Sequence, residues 1–213
     1  MISKYSTNAL AAATLALALT QGAHASTNLV ADGSFVEGTG LSGYLGYAGG
    51  STLGAWTVTG ASVDLIGTYW QTTPTGSFTI DLAGGNAGGL TQDLHLNAGN
   101  YALSFWLAGN PDGGNATKTV DVSVAGTNQS FSFLTTGHNE GNMGFTLETL
   151  SFNVAADTDT ALSFSNAEAG TPWGAAIGGV TLTSVVPEPG STSLLLAGIG
   201  MMGLVAARRR KSL

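Results

Sequence analysis

Tyr101-Ala102-Leu103-Ser104-Phe105-Trp106-Leu107-Ala108 decides the fold of this chain. Tyr101, Leu103, Phe105 and Leu107 fall on one side of an extended backbone, and Ala102, Ser104, Trp106 and Ala108 on the other. A period of two places alternate side chains on opposite faces of a sheet, so this stretch predicts a strand with one face in a core. The same rhythm recurs on both sides of it. Phe78, Ile80 and Leu82 alternate with Ser77, Thr79 and Asp81. Val120, Val122 and Val124 alternate with Thr119, Asp121 and Ser123, and Leu162 and Phe164 with Ser163 and Ser165. Turn-forming clusters lie between: Gly84-Gly85-Asn86, Asn97-Ala98-Gly99-Asn100, Asn110-Pro111-Asp112-Gly113-Gly114 and Gly126-Thr127-Asn128. No segment keeps a 3.6-residue stripe. Many short alternating strands predict an all-β chain, an antiparallel β-sandwich in one domain without internal repeats.

Both ends read as segments for handling the protein. Lys4 is the only charge before an Ala/Leu/Thr run from Ala9 to Thr20, and Ala23-His24-Ala25 follows as an A-x-A cleavage site. That pattern predicts a secretory signal peptide over 1–25, with signal peptidase as a processing partner at Ala23 and Ala25. At the other end, Val186-Pro187-Glu188-Pro189-Gly190 precedes a charge-free stretch to Ala207, then Arg208-Arg209-Arg210-Lys211. A helix over 190–207 would run roughly 27 Å, enough to cross a bilayer's hydrocarbon core, with its cationic end held in the cytoplasm. Gly198-Ile199-Gly200-Met201-Met202-Gly203 spells a dinucleotide motif inside this apolar tail, without the βαβ unit such a site needs. The expected organisation is 1–25 signal peptide, 26–186 sandwich domain and 187–213 sorting tail.

Charge narrows the partners. Of the six basic residues only Lys118 lies between Ser26 and Pro187, against twelve acids, a formal −11. A domain without arginine repels nucleic acid and anionic lipid, which are bound through Lys and Arg. Strong net charge and period-two patterning together predict a soluble, monomeric β-rich domain. Cysteine is absent, so neither disulfides nor thiolate chemistry is available.

The residues that carry chemistry are sparse. There is no G-x-S-x-G elbow, and the domain's histidines, His95 and His138, are expected to face solvent, His95 beside Asp93. Glycosidic cleavage needs two carboxyl groups about 5–9 Å apart across the sugar. Asp64, Asp81, Asp93 and Asp121 fall on polar strand faces, where a solubilising charge belongs, and no pair stands out. Asp157-Thr158-Asp159 and Asp112-Gly113-Gly114-Asn115 carry hard oxygen ligands but read as turns, since neither continues as an EF-hand loop. Exposed aromatic rings stack on the apolar faces of sugars while amides and carboxylates meet the hydroxyls. Trp56, Tyr101, Phe105, Phe131 and Phe133 lie in strand patterns and are expected in the core. Tyr69-Trp70-Gln71 and Trp173 lie beside turn signals and are the expected ligand-binding residues, unless Trp70 and Trp173 plug the ends of the sandwich. Tyr44 and Tyr47, in a glycine-rich loop, come next.

The tail resembles the PEP-CTERM sorting signal of Gram-negative bacteria, on Pro187, Glu188, Pro189, the apolar stretch and Arg208, Arg209 and Arg210. That resemblance implies handling by an exosortase-type membrane protease that cleaves near Pro-Glu-Pro. Within the domain, Asn28-Leu29-Val30-Ala31-Asp32-Gly33-Ser34-Phe35 resembles the opening of bacterial surface jelly rolls. Trp56 to Gly60, Val63 to Gln71, Ile80 to Gly84, Gln92-Asp93-Leu94 and Leu107 to Gly113 follow in order. Together they resemble the choice-of-anchor C domain of PEP-CTERM proteins, which is similar to the galactose-binding-like jelly roll. The resemblance implies a structural calcium ion near Asp32 and Glu37, with Gly178-Gly179 standing where the family's closing acidic residue is expected. No other cofactor is expected. The leading expectation is an exported, non-catalytic surface, biofilm or extracellular-matrix protein that associates with exopolysaccharide, after transient anchoring in the inner membrane. A structural or adhesion protein without a sugar site is the second reading, and a glycan-active enzyme the third.

Overall fold

A computed structural model describes residues 27–185 and 198–200. Residues 27–185 form a sandwich of two six-stranded antiparallel sheets. The first sheet runs in the order β1 (Tyr44–Ala48), β4 (Ser62–Ile66), β5 (Thr79–Asp81), β12 (Ala175–Ser184), β7 (Gly99–Gly109) and β10 (Thr146–Val154). The second runs β2 (Thr52–Leu53), β3 (Trp56–Gly60), β6 (Gly88–Leu96), β11 (Thr158–Asn166), β8 (Thr117–Val124) and β9 (Thr127–Leu134). From β9 to β12 the chain alternates between sheets, the connectivity of a jelly roll.

The alternation in the sequence becomes the core. Tyr101, Leu103, Phe105 and Leu107 on β7 are buried against Val120, Val122 and Val124 on β8 and Leu162 and Phe164 on β11. Phe105 meets the rings of Phe164 and Phe131 edge-on at 5.1 and 5.3 Å, and Trp56 meets Phe164 at 6.0 Å. Such pairings add to area burial because ring edges are positive and ring faces negative. The hairpin between β8 and β9 turns on Ala125 and Gly126, both with positive φ, the conformation that matches strand twist in a two-residue turn.

The outer face of the first sheet departs from simple alternation. Cross-strand register aligns Asp64, Asp81, Ala176 and Ala108 in one row, and Ile66, Thr79, Gly178 and Trp106 in the next. Ile66, Thr79, Asp81, Ala108 and Ala176 are nevertheless buried. The segment 67–78 covers the Gly178 row, where a Cβ would lie 2.5 Å from the Phe78 carbonyl and 2.8 Å from the Thr73 methyl, while Asn110 and the Ala83 and Gly174 amides close around Asp81. Asp81 is therefore no solubilising surface charge as its pattern suggested. It is 1% exposed, because a central strand of this sheet has both faces covered.

The processing residues Ala23, Ala25, Pro187, Glu188, Pro189, Arg208, Arg209 and Arg210 lie outside the described residues. So does most of the expected spanning helix, of which 198–200 are described, as helix. Among the described residues no helix is long and apolar enough to cross a membrane.

Candidate functional site

The connections β4–β5, β7–β8, β9–β10 and β11–β12 all leave from the same end of the sandwich, beside the start of β1. They bring together residues far apart in sequence. The Tyr69 hydroxyl, from the first connection, donates to Asp112 Oδ2 of the second at 3.0 Å. Its ring faces Tyr44 of β1 at 5.7 Å and stacks on Trp70 at 6.2 Å. The Gln71 amide donates to the carbonyl of Glu140, from the third connection, at 2.7 Å, and Gln71 Oε1 accepts from the Met143 amide at 3.1 Å. Trp173, from the fourth, packs its ring over Gly113, where a Cβ would come within 2.9 Å. Tyr44, Tyr69 and Trp173 are 58%, 40% and 37% exposed.

Trp70 does not. It is 4% exposed and belongs to the buried cluster that includes Ile66 and Met143, so it cannot serve as an open stacking face. It supports the underside of Tyr69 instead. Gln71 spends its side-chain oxygen on the backbone of Met143 and so ties two connections together.

Electrostatics sharpen the picture. Asp112 is held above its ordinary value by burial, with the neighbouring Glu140 adding to the effect and the Tyr69 hydroxyl opposing it. The Tyr69 phenol is raised in turn, chiefly by its bond to Asp112. An exposed ring pair rimmed by two carboxyls can stack on an apolar sugar face and accept bonds from hydroxyls.

Beneath these loops sits a buried polar frame. Lys118, the domain's single base, is 0% exposed, and its ammonium donates to the carbonyls of Gly113 at 2.6 Å and Trp173 at 2.8 Å. The next amide along, Gly174 N–H, donates to Asp81 Oδ1 at 3.0 Å. One peptide unit is thus clamped between a buried cation and a buried carboxyl group. Asn110 Nδ2 donates to Asp81 Oδ2 at 2.6 Å, and Asn110 Oδ1 accepts from the Asp112 amide at 2.9 Å. Burial pushes Asp81 up to about 7, against the opposing pull of Asn110 and the Ala83 and Gly174 amides. Desolvation also lowers Lys118.

Asp32 and Glu37 form a second carboxyl pair, around the 3-10 turn Val36–Gly38. Burial first, then Glu37, raises Asp32 to about 6. Asp32 Oδ1 accepts from the Val36 amide at 3.2 Å, while its buried Oδ2 has no hydrogen-bond partner. Gly54, with φ of +55°, faces the pair, and any Cβ there would run into Asp32 Oδ2 and Glu37 Oε1. An orphaned carboxyl oxygen beside a second carboxylate fits a hard cation, so Asp32 and Glu37 are the residues that would hold calcium. Among the described residues no group of three His, Cys, Asp or Glu converges. Gly178 and Gly179 are set by packing: a Cβ at Gly179 would lie 2.9 Å from Trp106 Cδ1.

His95 is exposed, and its partner is Asp159 across the β6–β11 ladder, at 2.7 Å, rather than Asp93. Sequence reading passed over Asp112, Glu140, Lys118 and Asp81 as site residues. The available signal was that a lone base in so acidic a domain needs an acidic or carbonyl partner.

Comparison with known proteins places two matches end to end. The family described as "Protein of unknown function (DUF642)" matches residues 28–183, and the PEP-CTERM protein-sorting motif matches 185–211. No curated protein matches the chain. A family 35 carbohydrate-binding module from Clostridium thermocellum is 15% identical, with 68% of this chain and 100% of that one covered and a TM-score of 0.42. The C-terminal CBM6 of LamC, a marine laminarinase from Zobellia galactanivorans, is 16% identical over 66% of this chain and 99% of that one, with a TM-score of 0.42. TmCBM61, solved with β-1,4-galactotriose, is 15% identical over 75% of this chain and 99% of that one, with a TM-score of 0.40.

Proposed function

This chain belongs to the DUF642 family of proteins of unknown function, and on that premise we propose that it is an exported, non-catalytic surface or matrix protein that holds exopolysaccharide at the loop end of its sandwich. The observation that supports the glycan reading is the exposed Tyr44–Tyr69 ring pair, with Asp112 bonded to Tyr69 and Glu140 beside it. Trp173 extends the surface on the far side of Gly113.

The PEP-CTERM match supports export from a Gram-negative cell. Removal of 1–25 by signal peptidase, exosortase cleavage near Pro187-Glu188-Pro189 and the choice-of-anchor C assignment belong with this proposal. Calcium at Asp32 and Glu37 would be structural, neutralising two carboxylates that otherwise repel.

Affinity electrophoresis of the mature protein through gels cast with the exporting cell's polysaccharide tests the reading. Tyr69→Ala and Trp173→Ala should keep the circular dichroism and melting temperature of the parent while losing retardation. Loss of a stacking ring costs on the order of 1 kcal/mol, about fivefold in affinity, which takes a weak site below detection. Folded variants that migrate like a retarded parent would remove the site from this end. A parent without retardation would favour the structural or adhesive reading.

A further inference from the structure

An ammonium group has three N–H donors, and Lys118 uses two of them within the domain, on the carbonyls of Gly113 and Trp173. Among the described residues no acceptor takes the third, and the residue is fully buried, so bulk water does not take it either. A buried cation also needs a negative charge nearby, because an unpaired ion is costly to desolvate. Burial lowers Lys118, and two carboxyl groups oppose it from the elements packed around it, Asp81 of β5 and then Glu168 of the β11–β12 connection.

Asp81 has no oxygen to spare for the ammonium. Its Oδ1 accepts from the Ala83 and Gly174 amides and its Oδ2 from Asn110. The Trp173–Gly174 peptide also stands between the two, its carbonyl on the ammonium and its amide on Asp81. Glu168 differs: its Oε2 is buried and has no hydrogen-bond partner.

Local bonds hold Glu168 beside the clamp. Ala167 N–H donates to the carbonyl of Thr119, the residue after Lys118, at 3.0 Å. Asn166 Nδ2 donates to the Glu168 carbonyl at 2.7 Å, and Asn166 Oδ1 accepts from the Ala175 amide at 2.9 Å. Lys118 nevertheless makes no direct ion pair among the described residues. A buried donor and a buried acceptor, close enough for one charge to act on the other but not in contact, are the two ends of a water-mediated bond. Gly114 carries no side chain into this side of the ammonium, where a Cβ would meet Lys118 Nζ at 3.0 Å and Thr171 Oγ1 at 3.1 Å. The Thr171 hydroxyl accepts from the Trp173 amide at 3.2 Å and keeps its own proton for a further bond.

We propose that Glu168 is the counter-charge of Lys118, that it reaches the ammonium through one buried water, and that this pair is a positioning device for the Tyr69–Trp173 surface. Glu168 keeps Lys118 charged, and the charged ammonium keeps the β7–β8 and β11–β12 connections together. The positioning role rests on the glycan reading; the water-bridged pair does not.

Two measurements on the mature protein, purified from the cell that exports it, judge the pair. A crystal structure should show one water within about 3 Å of both Lys118 Nζ and Glu168 Oε2. Glu168 turned out to solvent, or no bridging water, overturns the proposal, and this result needs no variant to fold. In protein labelled with 15N-lysine, the slowly exchanging ammonium of Lys118 is identified by its loss in Lys118→Met. Glu168→Gln should move its deprotonation down by about one pH unit, while Glu148→Gln on the distant β10 leaves it in place. An unmoved titration in Glu168→Gln also overturns the pair. Retardation by polysaccharide then tests positioning: as pH rises, Glu168→Gln should lose it about one unit before the parent, in step with Lys118. A retarded parent and an equally retarded Glu168→Gln across that range refute the positioning role. A parent that is never retarded refutes the glycan reading instead, and with it the role but not the pair.

Discussion

Asp81 shows how a single carboxyl group can set the pH response of a whole domain. Held at about 7 by burial, it takes its proton far more readily in the folded chain than in the unfolded one, and Asp32, at about 6, does the same. Stability from these groups is full below the ordinary carboxyl range and is lost as pH rises through about 6 for Asp32 and about 7 for Asp81. The melting temperature should therefore fall between about pH 4.5 and pH 8, and Asp81→Asn should flatten the upper part of that fall. A melting temperature that climbs over this interval would contradict the buried, protonated Asp81. Calcium at Asp32 and Glu37 requires both carboxylates ionised, so its stabilising effect should be larger near pH 8 than near pH 4.5. Trp70 belongs to the same scale. Its neighbours Tyr69 and Gln71 are exposed, and the one residue between them that turns inward becomes core. Trp70→Ala should cost about 3–5 kcal/mol in chemical denaturation, in contrast to the near-neutral Tyr69→Ala.

Among the elements, the connections matter more to the site than the strands do. Lys118 sits on β8, yet its ammonium holds the carbonyls of Gly113 and Trp173, which belong to two different connections. Replacing it with methionine keeps much of the volume but leaves those carbonyls without their donor, at about 1–3 kcal/mol each. Lys118→Met should lower the melting temperature, speed amide exchange at Asp112 and Gly174, and weaken polysaccharide retardation although every ring is intact. Unchanged exchange at those amides would show that the loops hold themselves. The strands with a clear rhythm of apolar and polar residues were legible in the sequence, whereas β1, read as a glycine-rich loop around Tyr44 and Tyr47, has no such rhythm and was not. Tyr101 to Ala108 and Val120 to Val124 lie where their alternation puts them. Asp81 was misjudged because alternation records which face a residue occupies and not whether distant groups, here Asn110 and the Gly174 amide, close over that face.

The molecule as a whole is an anion. No surface Lys or Arg among the described residues offsets its acids, so self-repulsion opposes compaction, and the melting temperature should rise as sodium chloride is taken to about 0.5 M. A flat response would mean the acids are too far apart to interact. Alanines in place of Pro187-Glu188-Pro189 should leave the full-length chain accumulating in the inner membrane of an exosortase-bearing cell, which fractionation and immunoblotting would read; normal maturation would dissociate the motif from processing. By itself the sequence determined the all-β class, the absence of thiol chemistry, the anionic character and the sorting motif, since composition and local period suffice for each. It also pointed to Tyr69 and Trp173, because bulky rings beside turn residues stand out along a chain. Only the tertiary structure decided that Trp70 is a support, that Tyr44, Asp112 and Glu140 join Tyr69, and that Lys118 and Asp81 clamp the loops beneath them. Those relations join residues up to 93 positions apart, as from Asp81 to Gly174, and depend on the order of strands in a sheet, which no local pattern encodes.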